Sequence, residues 1–134
     1  MTPFPSGASA LTTILVVSDV ERSKRWYVDV LGAELFREYE GTSAVLSLLG
    51  NWLLLVTGGD PTADKPTVSM AAPADPNRVD HAFTIRVDDC RGSYEDLRAR
   101  GAAFLTSPHD FGREVRCFFR DPDGHVFEIS EAVG

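Results

Sequence analysis

A chain of 134 residues, 43% hydrophobic and 25% charged, has the size and composition of one globular domain that can bury a core without disulfide or metal staples. Its 13 Lys and Arg against 20 Asp and Glu leave a net charge of −7, which argues against nucleic acid as a partner and mildly favours neutral or cationic ligands. Two cysteines make no disulfide framework, Met1–Ser9 lacks the marks of a signal peptide, and the apolar run Leu11–Val17 is too short to span a membrane; a cytoplasmic location is expected by elimination.

The first predicted element is the apolar strand Leu11–Val17. Asp19 follows at a position suited to capping a helix N-terminus, and Val20, Tyr27, Val30 and Leu31 recur at helical spacing until Gly32 ends the run. Three strand-like runs come next, Ala33–Tyr39, Ser43–Leu49 and Trp52–Thr57, separated by Gly-containing turns. Residues 58–78 carry Pro61, Pro66, Pro73 and Pro76, which disfavour a helix. This linker reads either as a lid or arm or as a passive connection, with Thr67–Met70 as a candidate short strand.

The pattern then returns. Strand Ala82–Val87 precedes a second capping residue, Asp89, and a second apolar stripe of Cys90, Tyr94, Leu97 and Gly101. Strand-like runs Ala102–Thr106, Glu114–Arg120 and His125–Glu131 complete it, the last two joined by the turn Asp121-Pro122-Asp123-Gly124. Val17 matches Val87, Asp19 matches Asp89, Ser23 matches Ser93 and Gly32 matches Gly101. The expected fold class is therefore α+β: two β-α-β-β-β modules pairing to form a curved mixed sheet enclosing a cleft, with helices on the outer faces. The chain 1–134 is read as a single domain, with module one at 10–57, a linker at 58–78 and module two at 79–132.

The stretches VSDVERSKRWYVDVLGAEL at 17–35 and FRDPDGHVFEIS at 119–130 resemble, in combination, the vicinal-oxygen-chelate superfamily of glyoxalase, bleomycin-resistance and dioxygenase proteins. The resemblance extends from Leu11 to Glu131 and implies a homodimer, in keeping with the prevalence of two-fold oligomers. In metal-dependent members it implies one divalent ion, such as zinc, nickel, manganese or iron, bound by the first and last strands of each module; metal-free members have none. Carried over by position, those places hold Thr12, Leu54, Ala82 beside His81, and Glu128.

Glu128 is the matching residue and the candidate catalytic group and metal ligand; His81 is a second candidate ligand. Counting back from Val87 puts His81 on the wrong strand face unless a bulge turns it inward. Thr12, Leu54, Trp52, Arg116 and Phe118 are expected to line the site for a small-molecule ligand, although Trp52, Phe83 and Phe118 suit a core equally well. Arg86 and Arg116 read either as anion-binding groups or as partners of nearby carboxylates. His109 is expected at the cleft mouth or simply in solvent, and His125 exposed after its turn. Cys90 and Cys117 read as buried thiols, not nucleophiles.

Two functions fit. One is a metal-dependent lyase, isomerase or dioxygenase acting on a small oxygenated molecule. The other is a metal-free binding protein of the bleomycin-resistance type, sequestering a drug or metabolite. An interaction domain with a filled cleft ranks behind both.

Overall fold

The computed structural model describes residues 7–133. Two helices form where the capping pattern placed them. Helix α1 (Val20–Leu31) starts at Asp19, whose carboxylate accepts the Arg22 N–H, and ends at Gly32 with φ +73°. Helix α2 (Cys90–Ala99) starts at Asp89, which accepts the Gly92 N–H. It ends one residue before its expected stop: Arg100 is the cap, and Gly101 takes the positive φ that turns the chain away.

Strands β1 (Thr12–Val16), β2 (Glu34–Tyr39), β3 (Ser43–Leu48) and β4 (Asn51–Val56) make sheet one, in the order β1-β4-β3-β2. Strands β5 (Phe83–Arg86), β6 (Ala103–Phe104), β7 (His109–Asp110), β8 (Glu114–Arg120) and β9 (Val126–Ala132) make sheet two, in the order β5-β9-β8-β6 with β7 also on β8. Each module's first strand lies parallel to its last and the other pairings are antiparallel, so both sheets are mixed. The run expected as strand Ala102–Thr106 pairs over only two residues, and β7 takes up pairing further along. In the linker the candidate strand Thr67–Met70 reduces to a single bridge of Met70 with Gly59, and a separate bridge joins Thr62 and Lys65.

Alternation along the strands divides each sheet into a buried and an open face. Leu15, Leu46 and Leu55 of sheet one share a core with Phe119, Phe127 and Ile129 of sheet two. Tyr27 of α1 is fully buried in it, and the Trp26 ring lies 6.3 Å from both Phe119 and Phe127. Each such side chain contributes roughly 1.5–3 kcal/mol on burial. The helix-bearing sides of the two modules are thus packed together, and the two open faces look away from this shared core.

Polar bonds fix this arrangement. The Tyr27 hydroxyl donates to Asp121 Oδ2 at 2.7 Å, and the Ser18 amide donates to Asp123 Oδ1 at 3.1 Å. His125, expected in solvent, is only 6% exposed. Its Nε2–H donates to the Val16 carbonyl at 2.8 Å, which draws the residue following the turn into the seam between modules. Arg120 ties down the linker through bonds to the Pro76 carbonyl and the Asn77 side chain.

Candidate functional site

The open face of sheet one is mainly apolar, with Arg37 at its margin over the Phe36 ring. Thr12 pairs with Trp52 and Ile14 with Leu54 in the β1–β4 ladder, so Thr12, Leu54 and Trp52 stand together on this face. Trp52 meets Phe36 edge-on at 5.0 Å and is half-buried against the face, outside the core. Leu54 is also half-buried, while Ile14 is 49% and Phe36 63% exposed. Exposed apolar side chains in this number on one sheet face are costly in water unless something covers them.

The open face of sheet two carries the charge. Alternation puts Glu128 and Ser130 of β9, Thr84 and Arg86 of β5, and Glu114, Arg116 and Phe118 of β8 on one side. Glu128 is 8% exposed and accepts from the Thr84 hydroxyl at 2.8 Å. Arg116 Nε lies 3.7 Å from the other Glu128 oxygen, and Arg116 Nη1 donates to Glu114 at 2.8 Å. The Ser130 hydroxyl also donates to Glu114. That bond, and then the Arg116 guanidinium, hold the Glu114 carboxyl below its ordinary pKa despite partial burial. Arg116 stacks over the Phe111 ring at 4.4 Å. A pocket of about 220 Å³ opens beside it, lined by Thr106, His109, Phe111, Arg116 and Phe118.

Sequence reasoning named Glu128, Arg116 and Phe118 and overlooked Thr84 and Glu114. The available signal was the strand period: a face-sharing set on β5, β8 and β9 follows once Glu128 is placed.

His81 does not join this group. Regular pairing of β5 begins only at Phe83, and His81 precedes it, edge-on to the Phe83 ring whose other neighbour is core residue Phe127. Its Nδ1 is 2.7 Å from Asp80 Oδ1, and it lines a different pocket, of about 460 Å³, with Arg78, Val79 and His125. No bulge in the pairing of β5 brings His81 round to the Glu128 face.

The four places implied for metal ligands therefore hold Thr12, Leu54, Ala82 and Glu128. Divalent ions of this kind need several His, Cys or carboxylate donors converging on one point. Among the described residues no group of three or more His, Cys, Asp or Glu is so gathered. The one carboxylate present is engaged by Thr84 and Arg116. This donor set does not fit a divalent ion.

The cysteines are structural. Cys90 and Cys117 are buried with Sγ atoms 4.0 Å apart. Burial raises both thiol pKa values, that of Cys117 to about 12, so neither supplies a thiolate at neutral pH. No helix among the described residues is long and apolar enough to cross a membrane.

The chain is 30% identical over 128 residues to a lactoylglutathione lyase of Haemophilus influenzae, with 90% of each chain covered. Among solved structures it is similar to TioX from Micromonospora sp. ML1, with TM-score 0.70, 22% identity and coverage of 94% of this chain and 100% of that one. It is also similar to TnmS3, an antibiotic binding protein from Streptomyces sp. CB03234, with TM-score 0.66, 23% identity and coverage of 96% and 98%. The family model for the Glyoxalase/Bleomycin resistance protein/Dioxygenase superfamily matches residues 10–129. With two β-α-β-β-β modules, the second carrying the extra short strand β7, the chain belongs to that superfamily.

Proposed function

We propose that this protein binds a small organic molecule without a metal ion, in clefts formed when two copies of the chain meet. The observation that carries this reading is the state of Glu128. It is the sole acid at the four implied ligand places, and its oxygens already face the Thr84 hydroxyl and the Arg116 guanidinium. Leu54, at the equivalent place in module one, has no donor atom to offer.

The second copy is supported by the direction of the open faces. Within one chain they look away from the shared core, so neither is covered by the other. Strands β1 and β5 each leave one edge unpaired among the described residues. A two-fold partner can set its sheet two against sheet one of the first copy, and the reverse, covering Ile14, Phe36 and Trp52 twice with one interface. Thr12, Leu54 and Trp52 of one copy then oppose Glu128, Arg116 and Phe118 of the other.

The likeness to a lactoylglutathione lyase favours a second reading, a metal-dependent lyase or isomerase. Measuring bound metal in the purified protein, before and after incubation with zinc, nickel, manganese and ferrous iron, separates the two. Binding without metal expects no retained ion. A stoichiometric ion lost on Glu128→Ala would overturn it in favour of the enzyme.

A further inference from the structure

We propose that Arg86 is the ligand-recognition residue of the sheet-two face and that the ligand is a small carboxylate, or like oxyanion, carried on an apolar body. The apolar part of this inference rests on the two-copy cleft proposed above.

Five charged side chains share the face by alternation, Arg86, Glu114, Arg116, Arg120 and Glu128, and Arg120 is held by the Pro76 carbonyl and the Asn77 side chain. Three of them satisfy one another. Arg116 bonds Glu114 and faces Glu128; Thr84 and Ser130 supply hydroxyl donors to the two carboxylates. Arg86 is different. It is exposed, its one side-chain hydrogen bond is from Nη1 to Ser130 Oγ at 3.0 Å, and among the described residues no carboxylate lies within 4 Å of its guanidinium.

The single tether has a direction. A serine hydroxyl has one proton, and that of Ser130 goes to Glu114, leaving the oxygen to accept from Arg86. Ser130 is fully buried, so this anchor is fixed. One corner of the Arg86 guanidinium is held, and its remaining N–H groups are free in the planar fork that suits a carboxylate.

The same geometry reverses the expectation from net charge. A cationic ligand needs a carboxylate with unspent charge, and both carboxylates of this face already have a guanidinium and a hydroxyl. The net charge of −7 acts at long range, where salt screens it beyond roughly 8–10 Å. At contact the guanidinium dominates.

The internal repeat makes the Arg86–Ser130 pair one-sided. With Val17 matched to Val87 and Gly50 to Gly124, Arg86 corresponds to Val16 and Ser130 to Val56. Sheet one thus has aliphatic residues where sheet two has the Arg86–Ser130 pair. A molecule lying between the two faces meets the Arg86–Ser130 pair on one side and Trp52, Leu54 and Phe36 on the other, with Arg37 over the Phe36 ring at the margin of sheet one. This matches an acid group on an apolar or aromatic frame.

The test uses three probes with one frame: benzoate, benzyl alcohol and benzylamine, titrated calorimetrically into the wild-type protein, Arg86→Gln and Arg86→Lys. Benzoate is expected to bind most tightly. Its affinity should fall on the order of tenfold or more in Arg86→Gln, the size of a lost charge-assisted hydrogen bond, and recover in part in Arg86→Lys. Equal benzoate affinity in wild type and Arg86→Gln, no benzoate binding by the wild type at millimolar concentration, or a preference for benzylamine would each overturn the proposal. Sedimentation of the same samples keeps the two readings apart. Arg86-dependent benzoate binding by a monomer upholds the anion site and defeats the two-copy cleft. A dimer indifferent to benzoate does the reverse.

Discussion

The Tyr27 hydroxyl donates to Asp121 Oδ2 at 2.7 Å, joining the helix of one module to the turn of the other across 94 residues of sequence. Tyr27 is fully buried, and desolvation, reinforced by the Asp121 charge, raises its pKa well above the ordinary value. An acid whose pKa is higher in the folded state contributes stability below its unfolded pKa and loses it as pH rises through the folded one. The melting temperature should therefore fall as pH climbs above about 10. Tyr27→Phe should flatten that alkaline limb while lowering stability at neutral pH by roughly 1.5–3 kcal/mol, the range for a bond to a charged group. Identical alkaline slopes in the two proteins would refute the assignment.

Glu114 behaves in the opposite sense. Its carboxyl is held low chiefly by the Ser130 hydroxyl and next by Arg116, so its contribution is present above the unfolded pKa and lost as pH falls through the folded one. Ser130→Ala should move the Glu114 titration, followed by NMR of its side-chain carboxyl, toward the ordinary glutamate value. An unchanged titration would mean that the guanidinium groups of Arg116 and Arg86 hold it without Ser130.

Cys90 and Cys117 should ignore thiol reagents in the native protein at neutral pH and react fully once it is denatured, because burial both hides the sulfurs and raises their pKa. Rapid native labelling of either would show that the helix α2–β8 contact opens.

If two copies meet through their open faces, a charge at Ile14 should keep them apart. Ile14 is outside the core and half-exposed in one chain, so Ile14→Asp should fold with near-normal stability yet sediment as a monomer. Loss of folding in this variant would place Ile14 in the core; a persistent dimer would place the interface elsewhere.

The four implied ligand places can be given donors by substitution. Thr12→His, Leu54→Glu and Ala82→His, combined, would surround Glu128 with donors if the positional correspondence and the two-copy arrangement both hold. The triple variant should retain nickel or zinc through gel filtration where the wild type does not. Failure to retain either metal would put the correspondence in doubt.

Features governed by neighbours a few residues apart were legible in the sequence. Asp19 and Asp89 cap their helices because a short carboxylate reaches an amide three residues on, and Gly32 ends α1 because it tolerates a positive φ. The strand period likewise put Glu128 and Ser130 on one face. What required tertiary structure was every partner brought from far along the chain. His125 is buried because the Val16 carbonyl, 109 residues away, accepts its proton. Arg116 and Arg86 look alike as strand arginines; only the packing of β5, β8 and β9 gives one of them two carboxylates and the other a single serine. Local sequence specifies which atoms a residue offers, while the fold decides which of those atoms are already satisfied, and that remainder is what a ligand can use.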